Sequence, residues 1–258
     1  MITAVSNQRV KNLVNLIQKS KARREQDVFI TEGVKMFLEA DKDRIKEVYV
    51  SESFYKKKIA EEKLEQCDYE ILSDEVFKKV SDTQTPQGVL CVMKQYHYTL
   101  ADLLKKENPL LLILEDIQDP GNLGTMVRTA EGAGVDGVIM TKGTVDIYNP
   151  KTIRSTMGSV YRMPFFYTED LLGIMKQLQE AKVKLYAAHL KGNQFYHQLD
   201  FKGGTAFLIG NEGNGLKEET AEAADIYMKI PMEGKVESLN AAVASVILMY
   251  EAARQRMS

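Results

Sequence analysis

Asn122 and Arg128, an amide and a guanidinium six residues apart, follow the apolar run 110–114 and its acidic, glycine-bearing turn 115–121. An unbroken apolar pentapeptide reads as a strand buried on both faces, and open α/β sheets place ligands at the carboxyl ends of such strands. Two later stretches repeat the arrangement. One is Phe207-Leu-Ile-Gly-Asn-Glu-Gly-Asn-Gly-Leu216; the other is Met228-Lys-Ile-Pro-Met232 leading to Val236-Glu-Ser-Leu-Asn-Ala-Ala-Val243. In the first, Gly210, Gly213 and Gly215 let backbone N–H groups approach a ligand closely, while Asn211, Glu212 and Asn214 add side-chain donors and acceptors. Ser238 in the second reads as an N-cap of the last helix, whose free amides also bind polar groups. The chemistry on offer is recognition of a polar ligand by amides and short side chains beside one guanidinium.

Several chemistries drop in rank. Gly121-Asn-Leu-Gly124 is not a GxGxxG turn, Asp146 is only a loose match to a ribose-binding carboxylate, and no GxxxxGK[ST] follows any strand. Hydride and phosphoryl transfer are therefore disfavoured. Cys67 and Cys91 cannot build a disulfide framework and read as buried free thiols, and His97, His189 and His197 are scattered, so no metal is assigned. The net charge of −2 hides an uneven distribution. Residues 1–24 carry Arg9, Lys11, Lys19, Lys21, Arg23 and Arg24 and no acid, the footprint of a face that binds polyanions or merely a solvated helix. Apolar runs are strand-sized and residues 1–11 lack a signal-peptide block, so no membrane association and a cytoplasmic location are expected.

The elements that must position these residues alternate between strand and helix. Val10, Leu13, Val14 and Ile17 fall at helical spacing, predicting an amphipathic helix over 7–20 with its cations outward. Strands at 28–30, 48–50, 69–72 and 88–93, with helices at 34–40 and 55–66, make a small α/β domain. The segment 96–109, with two lysines and a proline, carries the boundary: domain 1–98, linker 99–108, domain 109–258. The second domain opens with a βαβ unit of strand 110–114, helix 123–130 and apolar run 135–141. Helices follow near 150–158, 169–181, 217–224 and 238–256, and strands at 162–167, 183–188, 206–209 and 226–230. Such alternation implies a mostly parallel sheet covered on both faces, which default rules would draw unknotted.

Taken in order, the three loop stretches resemble the SpoU/TrmH family of RNA ribose 2′-O-methyltransferases in the SPOUT superfamily. Asn122-Leu-Gly-Thr-Met-Val-Arg128 matches its first motif, Ile209-Gly-Asn-Glu-Gly-Asn-Gly-Leu216 its second, and Ile230-Pro-Met232 with Ser238-Leu-Asn240 its third. The residues Phe29-Ile-Thr-Glu-Gly33 and Asp82-Thr-Gln-Thr-Pro-Gln-Gly-Val89 are similar to the L30e-like substrate-binding module that many members carry. Ala241-Ala242 replaces a valine and a serine common in relatives, a small-residue change. The resemblance implies a deep trefoil knot in place of the unknotted sheet, S-adenosylmethionine as methyl donor, and a homodimer built through the knotted domain and its long last helix.

It also implies roles. Asn122, Arg128, Glu212, Ser238 and Asn240 form the catalytic set, and Leu208, Gly210, Asn211, Gly213, Ile230, Met232, Ser238 and Leu239 hold the cofactor. Arg128 is the family's proposed base; because a guanidinium keeps its proton in proteins, we read it as holding the substrate phosphate and stabilising the developing alkoxide. Arg9, Lys19, Lys21, Arg23 and Arg24 are assigned to RNA. Ribosomal RNA, 23S in particular, is the first choice of substrate and transfer RNA the second. The alternatives are a non-catalytic protein that binds structured RNA and a SPOUT enzyme that methylates a base.

Overall fold

The computed structural model describes residues 1–257 and divides into two units, one of residues 1–96 with 146–161 and one of 97–145 with 162–258. In the first unit, strands β1 (Val28–Glu32), β2 (Ile45–Ser51), β3 (Tyr69–Leu72) and β4 (Val89–Lys94) form a sheet in the order β1-β4-β2-β3. Both neighbours of β4 run antiparallel to it, and β2 and β3 are parallel. Val10, Leu13 and Leu16 of the first helix fill one side of the core against Leu72, Phe77 and Leu90.

The expected helix over 7–20 is two helices, Gln8–Gln18 and Ser20–Gln26, because Lys19 is extended at φ −120° and breaks the ladder. Arg23, expected on the basic face of residues 1–24 and assigned to RNA, is instead buried, only 3% exposed. Its guanidinium donates to Leu16 O at 2.7 Å and to Asp146 Oδ2 at 2.6 Å. The expected helix over 55–66 is likewise divided into Glu52–Lys56 and Glu61–Leu64, since Lys58 and Ala60 adopt left-handed backbone. Cys91 is buried, whereas Cys67 is only half-buried.

Residues 146–161 pack with this unit. Phe29 stacks on Tyr148 at 4.5 Å, the Tyr148 hydroxyl accepts from Tyr96 N at 2.7 Å, and Tyr161 Oη donates to Met36 O at 3.1 Å. Asp146, a loose candidate for a ribose ligand in the sequence, is thus the partner of Arg23.

The second unit holds seven strands: β5 (Leu110–Leu114), β6 (Gly137–Thr141), β7 (Phe165–Thr168), β8 (Lys184–Ala188), β9 (Gln194–Phe195), β10 (Thr205–Ile209) and β11 (Ile226–Lys229). They pair in parallel throughout, in the order β7-β6-β5-β10-β8-β11-β9. Every residue of β5, β6 and β10 is buried, as central strands covered on both faces must be. The two-residue β9 is too short to leave a periodic signal. Within the βαβ unit the helix spans Pro120–Gly132, three residues longer at its start than the sequence expectation: the Asp119 side chain accepts from Asn122 N at 2.8 Å, and Pro120 supplies a preset first turn. The last helix is Ala241–Arg256, and its N-cap is Asn240 rather than Ser238, with Asn240 Oδ1 accepting from Ala242 N at 2.9 Å. No helix among the described residues is long and apolar enough to cross a membrane.

Candidate active site

Parallel pairing of β10 with β5 and β8, and of β8 with β11, sets the carboxyl ends of these strands side by side. The loop after β10 is folded on itself: Asn211 and Gly215 exchange backbone hydrogen bonds of 3.0 and 2.9 Å, while Asn211 Oδ1 accepts from Gly213 N and Asn214 N. Gly210 is obligatory here, since a Cβ would lie 2.1 Å from the carbonyl carbon of Gly215. The closure turns Glu212 toward the loop after β5. Its carboxylate accepts from Gln118 N at 3.0 Å, Asp119 N at 3.1 Å and Asn122 Nδ2 at 3.0 Å. Partial burial alone would raise the Glu212 carboxyl; the hydrogen bonds from Asn122, Gln118 and Asp119 outweigh it and hold the group below the usual carboxylate value.

The third loop joins this cluster at the other end of Asn122. Asn240, fixed by capping the last helix, donates through Nδ2 to Asn122 Oδ1 at 3.2 Å. Glu212 and Asn240, 90 and 118 positions from Asn122 in the chain, therefore form one chain of hydrogen bonds with it. Ser238 is exposed beside it and lines the adjoining cavity. Arg128 stands on the same helix as Asn122 but is exposed, and it makes no ion pair or hydrogen bond among the described residues. Six helical positions set it about 9 Å along the axis from Asn122 and on another side. The structure does not bring its guanidinium into the Asn122–Glu212–Asn240 cluster.

Next to the cluster lies a cavity of about 280 Å³, near the lower end of the roughly 300–1,000 Å³ usual for small-molecule sites. Gly210, Asn211, Gly213, Ile230, Met232, Ser238 and Leu239 line it, seven of the eight residues expected at a cofactor. Leu208 does not; it lies in the hydrophobic core, and its place is taken by Ile209 at the end of β10. Sequence reading missed Ala188, His189 and Leu190, which form a further wall. The rule that ligands gather beyond strand carboxyl ends would have found them, since Ala188 ends β8. A lining that combines apolar Leu239, Ile230, Met232 and Leu248 with the residues of the glycine loop suits a ligand with a flat heterocycle and a charged tail, so the residues fit S-adenosylmethionine. No group of three His, Cys, Asp or Glu residues is placed to hold a metal among the described residues.

In the first unit, Lys19, Lys21 and Arg24 are exposed, Arg9 is exposed and ion-paired with Glu70, and Arg23 is withdrawn into its pair with Asp146. Lys21 lies 3.7 Å from Glu25.

Comparison with known proteins bears on both units. Residues 109–250 match the SpoU rRNA Methylase family, and residues 7–91 match an MRM3-like substrate binding domain. The 23S rRNA (guanosine(2553)-2′-O)-methyltransferase RlmP of Bacillus subtilis is 35% identical over 251 residues, covering 96% of this chain and 97% of that protein. An AdoMet-bound rRNA methyltransferase from Sinorhizobium meliloti superposes with a TM-score of 0.87 at 32% identity, over 100% of this chain and 98% of the other. AviRb, a SpoU methyltransferase from Streptomyces viridochromogenes in complex with AdoMet, does so with a TM-score of 0.90 at 26% identity, over 98% and 99%. With its three motif loops converging on one cluster and a family match across more than half its length, the chain belongs to the SpoU rRNA methylase family.

Proposed function

We propose that this protein methylates a ribose 2′-hydroxyl of ribosomal RNA, with S-adenosylmethionine as methyl donor and a guanosine of 23S rRNA as target. The observation that carries the reading is the Glu212–Asn122–Asn240 chain beside a cavity built from the same loops. The relatives named above add the substrate class and the cofactor. When bound, the donor would supply an electrophilic sulfonium methyl: the O–CH₃ bond forms as the S–CH₃ bond breaks to leave a neutral thioether, and the hydroxyl proton passes to water or an RNA phosphate. The protein's contribution is alignment, and holding reactants at near-attack geometry is worth on the order of 7–11 kcal/mol. Glu212, tied to two backbone amides, fixes the rotamer of Asn122, and Asn240 fixes it from the other side, so the Asn122 amide is aimed at the ribose. Arg128, exposed, unpaired and outside that cluster, clamps the RNA phosphate. The amides of the Gly210–Gly215 loop, with Ile230, Met232, Ser238 and Leu239, hold the donor.

In the same reading residues 1–98 select the RNA, 99–108 link, and 109–258 carry the transfer site. Lys19, Lys21 and Arg24 bind its phosphates. The neighbouring β10, β8 and β11, with second- and third-loop residues around one cavity, support the trefoil knot of the family. The last helix supports a homodimer: Ala242, Ser245, Leu248 and Met249 face inward, while Val243 (48% exposed) and Tyr250 (50% exposed) leave apolar surface outward one heptad apart. On this reading the protein works in the cytoplasm. The test is titration of the full chain with S-adenosylmethionine, followed by transfer of labelled methyl to 23S, 16S and transfer RNA. Saturable binding and labelling of 23S rRNA are expected; RNA binding without donor binding would make it a non-catalytic RNA-binding protein.

A further inference from the structure

Asp116 is one of six non-glycine residues with left-handed backbone among the described residues, at φ +54°, and it sits between the end of β5 and the Gln118–Asn122 segment that meets Glu212. Non-glycine residues adopt this conformation at a cost, and they persist in it where the surroundings over-determine it. Here they do. Asp116 N donates to Thr141 Oγ1 at 2.9 Å, Thr141 Oγ1 donates to Asp116 Oδ1 at 2.7 Å, and Lys217 Nζ lies 3.0 Å from Asp116 Oδ2. The carboxylate also presses on Gly143, where a Cβ would fall 2.1 Å from Oδ1. Lys217 is anchored in turn, its backbone N donating at 2.8 Å to Glu115, a carboxylate 2% exposed that also accepts from Thr220 Oγ1.

What the pinned turn delivers is a carbonyl. Asp116 O accepts from Asn211 Nδ2 at 2.8 Å and from Gln118 Nε2 at 2.9 Å. Asn211 uses its other amide atom to close the glycine loop, so the bridge from Asp116 sets that loop's position, and the next residue, Glu212, returns three hydrogen bonds to the first loop. The two loops are locked by a two-way exchange, and one half of it depends on the direction of a single peptide carbonyl.

We propose that Asp116 is a positioning residue for methyl transfer: held left-handed by Thr141 and Lys217, it turns its carbonyl to Asn211 and so fixes the register in which Glu212 meets Asn122. This rests on the function proposed above. The experiment compares steady-state methylation of 23S rRNA by the full-length Asp116→Gly, Asp116→Ala, Lys217→Met and Asp116→Gly/Lys217→Met proteins, with donor affinity measured separately by titration. Glycine adopts left-handed backbone freely; alanine does not. Asp116→Ala is therefore expected to lower kcat by roughly ten- to a hundredfold, the cost of a misplaced group, and to weaken donor affinity with it, since the loop that Asp116 positions also lines the donor cavity. Asp116→Gly is expected to recover most of that loss, and Lys217→Met to lower kcat in the parent but not in the glycine background, where nothing is left to pin. Equal kcat for the glycine and alanine variants, or an undiminished Lys217→Met effect in the double variant, would overturn the proposal. Should Asp116→Ala fail to fold, the Lys217 cycle decides alone. A parent that binds no donor or labels no RNA would instead count against the proposed function.

Discussion

Arg128 has two possible roles that demand different side chains. A phosphate clamp uses the planar fork and fixed charge of a guanidinium, whereas a base needs a nitrogen that gives up its proton near working pH. Arg128→Lys separates them: the clamp predicts turnover lower by roughly a hundredfold and weaker RNA binding, with unchanged donor affinity and no recovery at alkaline pH. Recovery with rising pH would establish the base. Glu212 makes a second case. Its folded carboxyl lies below its ordinary value, so the hydrogen-bonded carboxylate contributes stability above that ordinary value and loses it as pH falls through the lower, folded one. The stability difference between the parent and Glu212→Gln, read from urea unfolding, should be constant from pH 7 down to mildly acidic pH and shrink only in strong acid. A difference that disappears between pH 7 and 6 would mean that Glu212 is not held ionised by these hydrogen bonds.

At the scale of elements, the central strands of the second unit were legible because burial on both faces writes continuous apolar runs such as 110–114, whereas the two-residue β9 was not. The three loops were legible because glycine and proline mark where those runs stop. Helix limits were harder. The start at Pro120 and the cap at Asn240 depend on one or two side-chain hydrogen bonds that several nearby residues could have made. The burial of Arg23 was invisible, since its partner Asp146 lies 123 positions away and the intervening break at Lys19 has no Gly or Pro to announce it. The structure thus separates cations that the sequence grouped. Arg23→Met should destabilise the fold by about 3 kcal/mol by stranding Asp146, seen as a lower urea midpoint. Replacing Lys19, Lys21 and Arg24 by Gln should leave the midpoint alone and flatten the salt dependence of RNA binding, by about 0.7–0.9 in slope for each phosphate left unneutralised. An unchanged salt slope would make these three a solvated face.

At the scale of the molecule, one unit carries a substrate-binding match and the other the transfer cluster, and the last helix is apolar on its outward side as well as its inner one. A helix apolar on both sides is expected to be covered by another surface. Val243→Asp with Tyr250→Asp should therefore convert a dimer into a monomer in sedimentation equilibrium, while a parent that already sediments as a monomer would remove the dimer from the proposal. The most direct test of the central claim is the chemical identity of the product. 23S rRNA incubated with the protein and S-adenosylmethionine would be digested to nucleosides and its methylated position mapped by resistance to alkaline cleavage. The expected result is one 2′-O-methylguanosine at one position, formed roughly a hundredfold more slowly with Arg128→Lys. A methyl group on a base, with the neighbouring phosphodiester still open to alkali, would contradict ribose methylation and point to the base-modifying branch.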